Sequence, residues 1–158
     1  MAKIVIANPP WHYYENGEWR FGVRSGSRWP FTVGQEKDFL NRYRPFPFWL
    51  AYAQALLVKR GVDSIFIDSI TRGDTYEQFY IAIQKERPEF VFFEISTSSF
   101  ENDIAIAKKL YKLGIKVLVG GTHATVFAEK LINESSIYAI FKGEYEFSLL
   151  MFMKEDRS

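Results

Sequence analysis

The 158-residue chain contains no cysteine. That excludes disulfides, thiolate metal sites and iron–sulfur ligation within it. Histidine is almost as scarce, with His12 and His123 the only two, so imidazole chemistry is confined to two positions. There is no apolar run of about eighteen residues, and hence no expected spanning helix. Neither sign of charge dominates: 20 Lys and Arg stand against 19 Asp and Glu. Such a balance lacks the field of a general nucleic-acid or anionic-membrane binder. The common phosphate loops are missing as well. No glycine-rich fingerprint follows the first strand, and no Gly-Lys-Ser/Thr occurs, so phosphoryl transfer has little support. The start, Met1 to Asn8, reads as a strand rather than a leader, whose apolar core would be longer. One cytoplasmic domain spanning 1–158 is the expectation.

Aromatic residues, by contrast, are plentiful and unevenly spread. Lys3 to Ala7 is a compact apolar strand that Asn8-Pro9-Pro10 stops, because proline lacks the N–H a ladder needs. From Trp11 to Phe46 no clean period emerges. The stretch mixes Trp11, Tyr13, Tyr14, Trp19, Phe21, Trp29, Phe31, Phe39, Tyr43 and Phe46 with Arg20, Arg24, Arg28, Arg42 and Arg44. It reads as an inserted loop, 11–46, too aromatic for disorder. It serves either as a flap over a flat ligand or as a docking surface. Single-stranded nucleic acid is disfavoured by Glu15, Glu18, Glu36 and Asp38.

Beyond Phe48 strands and helices alternate. Leu50, Ala53, Leu56 and Leu57 lie at helical spacing, and Gly61 stops that helix. Ser64 to Asp68 is the second strand. Asp74 or Thr75 caps a helix with Phe79, Ile83 and Tyr76 on its apolar face, ended by Pro88. Phe90 to Ile95 is the third strand, and Ser96-Thr97-Ser98-Ser99 leads to a helix burying Ile104, Ala107, Leu110 and Tyr111. Val117 to Val119 forms the fourth strand, ending at Gly120-Gly121, with the next helical pattern starting near Val126 and carrying Phe127, Leu131 and Ile132. Ile137 to Phe141 is a fifth strand, and Phe147 to Met153 opens a last helix. This alternation implies right-handed crossovers and a parallel sheet covered on both faces. The expected fold is α/β: a flavodoxin-like, Rossmann-like three-layer sandwich with strand order 2-1-3-4-5.

In such a fold ligands bind at the carboxyl ends of the strands. Those ends bring Asn8, Pro9, Pro10, Ser96, Thr97, Ser98, Gly120, Gly121, Thr122, His123, Gly143 and Glu144 to one rim, with Asp68-Ser69 at its far side. The rim offers hydroxyls, amides and glycines, suited to the polar atoms of a nucleotide-like group. Catalysis has less to work with. His12 sits among aromatics, His123 follows the glycine pair, and Glu94 is a lone acid on a buried strand. No nucleophile, base and orienter can be assembled, and the residues read as a binding domain.

Several motifs together resemble one family, the N-terminal cobalamin-binding domain of class B radical S-adenosylmethionine enzymes. They are Asn8-Pro9-Pro10, Pro45-Phe46-Pro47 before Leu50-Ala51-Tyr52, Lys59-Arg60-Gly61, Pro88-Glu89-Phe90-Val91 and Ser96-Thr97. Gly120-Gly121-Thr122-His123 and Gly143-Glu144-Tyr145-Glu146 complete the set, which spans Lys3 to Leu150. The resemblance implies cobalamin held over the strand ends, with its nucleotide tail lined by Ser96, Thr97, Gly120, Gly121 and Gly143. Asn8, Pro9 and Pro10 would then lie near the corrin. Cobalamin domains of mutases and methionine synthase carry Asp-x-His-x-x-Gly after the first strand. Here Asn8-Pro9-Pro10-Trp11-His12-Tyr13 departs from that pattern, so no histidine is expected on cobalt, with His12 an outside candidate. S-adenosylmethionine and a 4Fe-4S cluster would belong to a downstream radical domain, with this chain as the fragment preceding it. The expected parent is a methyltransferase or a radical rearrangement enzyme, this domain alone not being catalytic. The alternatives are a scaffold or docking domain without cofactor, and a small flavin- or nucleotide-binding protein.

Overall fold

Alternating apolar residues in the strands place one set on each face of a central sheet. In β1 (Ile4–Asn8), Ile4 and Ile6 face one way, Val5 and Ala7 the other, and every residue is buried. Such a double-sided strand belongs at the centre of a parallel sheet, and a computed structural model of the chain puts it there. The described residues are 3–15, 17–22, 32–34 and 46–155. β1 pairs in parallel with β5 (Ser64–Asp68) on one side and β6 (Phe90–Glu94) on the other. β7 (Lys116–Gly120) and β8 (Ala139–Ile140) extend the sheet to the order β5-β1-β6-β7-β8. Among the parallel strands this is the expected 2-1-3-4-5. The switch point lies between β1 and β6.

Helices cover both faces. Ile4, Ile6, Phe90, Phe92 and Leu118 pack beneath α1 (Phe48–Lys59) and α7 (Glu146–Glu155), against Leu50, Ala53, Leu57, Leu149, Leu150 and Met153. On the opposite face Val5, Ala7, Val91, Phe93, Val117 and Val119 meet Phe79 and Ile83 of α3 (Tyr76–Glu86). Ile104, Ala107 and Leu110 of α4 (Phe100–Lys112) pack on that face too. Thr75 starts α3 with a reciprocal capping box to Gln78. A short α2 (Ser69–Arg72) follows β5, its first turn held by the Asp68 carboxylate accepting from the Thr71 amide. No helix among the described residues is long and apolar enough to cross a membrane.

The structure departs from the sequence reading at five places. Residues after Trp11 include a three-stranded antiparallel sheet of β2 (His12–Glu15), β3 (Glu18–Gly22) and β4 (Thr32–Gly34), where a loop was expected. Gly17, at φ +82°, turns β2 into β3. Of the expected aromatic insertion, Trp29, Phe31, Phe39 and Tyr43 lie outside the described residues, as do Arg24, Arg28, Glu36, Asp38, Arg42 and Arg44. Tyr111 is exposed, and α4 buries Asp103 and Ile106 beside the expected residues. After β7 a helix, α5 (Gly121–Val126), begins at once rather than near Val126. It is followed by α6 (Ala128–Leu131), which leaves Ile132 exposed. The fifth parallel strand shrinks to Ala139–Ile140, an edge with a single partner.

Candidate functional site

The carboxyl ends of the strands are held by three side-chain networks. At the end of β1 the buried Asn8 amide donates to Asp68 Oδ1 at 2.9 Å, tying β1 to β5. Pro9 and Pro10 are buried, and the Pro10 carbonyl accepts from Asn102 Nδ2 at 3.1 Å. The Tyr76 phenol donates to Asn102 and accepts from the His12 amide at 2.9 Å. His12 Nε2 lies 3.2 Å from the Asp74 carbonyl. A carbonyl oxygen only accepts, which places the imidazole proton on Nε2 and turns that nitrogen toward α3.

A second network shapes the turn from β6 into α4. Asp103 is fully buried, and its Oδ2 accepts from Ser99 Oγ at 2.7 Å and from the Ser96 amide at 3.4 Å. Ser99 Oγ, its proton given to Asp103, accepts from Ser96 Oγ at 2.6 Å. Thr97 and Ser98 are exposed beyond them. Thr97 Oγ1 lies 3.1 Å from His123 Nδ1, joining this turn to the start of α5. The His123 ring sits between Phe100 and Phe127, with centroids 4.6 and 4.5 Å away. Burial there, helped by the Lys130 charge, pulls its pKa below the ordinary imidazole value.

The third network walls a cavity of about 340 Å³. Four parts of the fold supply its lining: Trp49 from α1, Glu94 from the end of β6, Gly121, Thr122, Thr125 and Val126 from α5, and Gly143 to Glu146 at the start of α7. Thr125 stitches two of these walls together. Its Oγ1 donates to the Gly121 carbonyl at 2.8 Å and accepts from the Gly143 amide at 2.9 Å. Tyr145 Oη donates to Glu94 Oε1 at 2.9 Å, so the acid on β6 is a satisfied one. Burial first, then the charge and hydrogen bond of Glu94 and the charge of Glu146, raises the Tyr145 pKa far above the phenol range. The phenol therefore stays a donor at any working pH.

A scan against family models adds the deciding observation, a match to the B12 binding domain over residues 42–150, more than half of the chain. The chain belongs to the B12-binding domain family. No curated protein matches it, and no solved structure does. The matched residues contain every wall of the cavity. Membership supports cobalamin as the ligand of this B12-binding domain, in a fold whose ligands sit at the strand ends.

The cavity is of the size that takes a small-molecule moiety, though not the whole of cobalamin. One indole, a glycine backbone and two threonines offer flat apolar contact with a few polar atoms, which suits a heterocyclic base and its sugar. The glycine pair fits less simply. A Cβ on Gly120 would come within 2.8 Å of Phe92 Cζ and 3.0 Å of Tyr145 Cδ1. Protein rings therefore fill the space beside it. Gly121, at φ +91°, has Glu94 Cβ at 3.0 Å and the Ile95 carbonyl at 3.1 Å from its own would-be Cβ. Gly121 is glycine for backbone geometry and close strand packing, and its open side faces the cavity.

Of the twelve expected rim residues, Gly121, Thr122, Gly143 and Glu144 line the cavity. Asn8, Pro9, Pro10, Ser96, Thr97, Ser98, Gly120 and His123 do not line it. The sequence reading gave no binding role to Trp49, Thr125, Val126 and Glu146, nor to Tyr145, which it had at the end of the Gly143-Glu144 rim segment, and it weighed Glu94 only as a core or edge acid. Thr125 lies two residues beyond Gly120-Gly121-Thr122-His123, and Tyr145 and Glu146 follow Gly143-Glu144 directly, so adjacency was the available signal. Trp49 carries no such signal; only the packing of α1 on α7 and the sheet brings it there.

Proposed function

We propose that this B12-binding domain holds cobalamin with no histidine on cobalt, as the N-terminal module of a radical S-adenosylmethionine enzyme. The parent protein would carry out methyl transfer or a radical rearrangement, with S-adenosylmethionine and the 4Fe-4S cluster on a downstream domain. The cavity between Trp49, Glu94, Gly121 and Gly143 carries the proposal, because it lies within the family match and at the carboxyl ends of the strands. Gly121, Thr122, Thr125 and Gly143 would contact the nucleotide tail there. Ser96, Thr97, Ser98, Thr122 and His123 would meet its outer polar atoms, and Asn8, Pro9 and Pro10 would lie toward the corrin. When bound, the cofactor would supply the carbon–cobalt chemistry; the chain's own residues bind and orient it. Asn8-Pro9-Pro10-Trp11-His12-Tyr13 departs from the Asp-x-His-x-x-Gly pattern, and His12 turns Nε2 to the Asp74 carbonyl and packs edge-on against Tyr76. Nδ1 of His123 is engaged by Thr97.

One observation favours the rival, a scaffold that has lost the cofactor: Phe92 and Tyr145 fill the space beside Gly120. Titration of the purified chain with hydroxocobalamin, followed by visible absorbance and calorimetry, separates the two. Saturable one-to-one binding, weakened by Gly121→Val and unchanged by His12→Ala, is expected. Absence of binding at tens of micromolar, which corresponds to roughly −6 kcal/mol or less, would leave the scaffold. Loss with His12→Ala would overturn the histidine-free assignment.

A further inference from the structure

The two helical layers turn different faces outward. α3 and α4 expose charge: Glu77 and Lys85 on the first, Glu101, Lys108 and Lys112 on the second. α1 and α7 do not. No charged residue occurs from Phe48 to Val58, nor from Phe147 to Met153. A helix apolar on every side is ordinarily enclosed on every side. Leu50, Ala53 and Leu57 of α1 and Leu149, Leu150 and Met153 of α7 are its buried side, against the sheet. At 3.6 residues per turn, Phe48 and Tyr52 then point outward from α1, and Phe147 and Met151 from α7. These four, and Phe46 packed on the Phe48 ring at 5.0 Å, are 52 to 69 % exposed. The two helices are in contact, so the five side chains share one face.

With about 200 Å² on each such side chain, the five leave roughly 550–600 Å² open, the upper end for a monomer. A stable interface takes about 800 Å² from each partner, and Ala55 with the Lys59 and Lys154 stems at the border brings the face to about that size. Both helices run the same way. Trp49 and Glu146, at their starts, line the cavity. At their ends Asp63, just past α1, accepts from the Ile4 amide, and Phe152 rests on Phe90, both at the opening of the strands. Charge differs between the two ends. Glu144 and Glu146 outnumber Lys142 where the helices begin, while Lys59, Arg60 and Lys154 outnumber Asp63 and Glu155 where they finish. A twofold axis normal to this layer lays each helix antiparallel to its copy, opposing the dipoles and setting the acidic end against the basic one. We infer that the outer face of α1 and α7 joins two copies of this chain in a twofold dimer. The inference stands apart from the cofactor reading.

Sedimentation velocity of the purified chain from about 1 to 100 μM tests it, the span in which an interface of this modest size associates. Twice the single-chain mass, with no larger species, is expected by about 10 μM. Tyr52→Glu with Met151→Glu should return the chain to single mass throughout, and circular dichroism checks that this variant is folded. Ile81→Glu with Tyr111→Glu, on the charged layer, should leave the dimer intact. Because the chain lacks cysteine, single cysteines report the same contact without introducing charge. Tyr52→Cys and Met151→Cys should each be bridged pairwise by a bis-maleimide, and Tyr111→Cys should not. A chain of single mass at about 100 μM would overturn the inference. If that chain then bound phosphatidylcholine–phosphatidylglycerol vesicles, and the double glutamate variant did not, the face would belong to a lipid surface. A dimer that survives both glutamates, or bridging of Tyr111→Cys as readily as of the other two, would put the interface elsewhere. A mass that climbs past two chains would replace twofold closure with open association.

Discussion

Gly120→Ala adds one methyl group at the crowded point between the sheet and α7. The new carbon would stand 2.8 Å from Phe92 Cζ and 3.0 Å from Tyr145 Cδ1. Carbon pairs are comfortable at about 3.5–4.0 Å, so each ring must retreat by roughly half an ångström or more. Neither has room. Phe92 is fully buried against Phe141, with centroids 5.9 Å apart, and Tyr145 is tied to Glu94. Overpacking of this kind costs about 1–3 kcal/mol. For a chain of this size that lowers Tm by about 2–12 °C. The backbone adds nothing, since Gly120 has an extended φ of −143°. Gly143→Ala is the matched control. No atom lies within 4 Å of its would-be Cβ, but φ is +72°, so strain alone should cost about 1–2 kcal/mol. Reversible urea unfolding would measure both. Phe92→Leu shortens the ring, and in combination with Gly120→Ala it should show a favourable coupling of about 0.5 kcal/mol or more. A Gly120→Ala variant within about 0.5 kcal/mol of the parent, or no coupling to Phe92, would refute the packing described.

The remaining expectations concern the networks around the rim. Thr125→Val deletes both the donor to Gly121 and the acceptor for Gly143, and should cost about 1–3 kcal/mol by denaturant unfolding while weakening corrinoid binding. Asp103→Ala leaves the Ser99 hydroxyl and Ser96 amide short of their acceptor; a loss of about 2–4 kcal/mol is expected, and Asp103→Asn should recover part of it. The lowered pKa of His123 means the unfolded chain takes up a proton first as pH falls. Its contribution to stability is whole above about pH 6.5 and is lost as pH drops through the folded-state value, so His123→Gln should flatten the stability profile there. Tyr80, pushed up to about 12 by burial and then by Tyr76, and Tyr145, pushed higher, act at the other end. Unfolding frees both phenols to ionise, so stability should decline above about pH 10, and Tyr80→Phe should reduce that slope.

The central sheet was legible because its signals are local. Short apolar runs in β1, β6 and β7, the Thr75 cap and the Gly61 and Gly114 stops each mark an element without knowledge of its neighbours. Parallel pairing then fixes the order. The antiparallel sheet after Trp11 carried a local signal too, the Asn16-Gly17 pair between His12–Glu15 and Glu18–Gly22, which the mixture of charges and aromatics obscured. The helix at Gly121–Val126 starts with two weak helix formers, Gly121 and the β-branched Thr122, and forms because β7 delivers the chain straight into it. There the His123 amide donates to the Ile95 carbonyl, a tertiary contact no window of sequence contains. The same holds for the cavity. Trp49, Glu94 and Tyr145 come from three distant segments, and only the pairing of β6 with β7 and the packing of α1 on α7 bring them together. Tyr111 illustrates the opposite error: helical spacing assigned it to the core, but the buried face turns through Asp103, Ile106 and Leu110 instead.

The most direct test of histidine-free cobalamin binding is electron paramagnetic resonance of the chain loaded with cob(II)alamin at neutral pH. With the tail base held in the cavity and no histidine supplied to cobalt, the signal should lack nitrogen superhyperfine splitting. Splitting that persists, whether from an imidazole of the protein or from the cofactor's own base, would contradict the account.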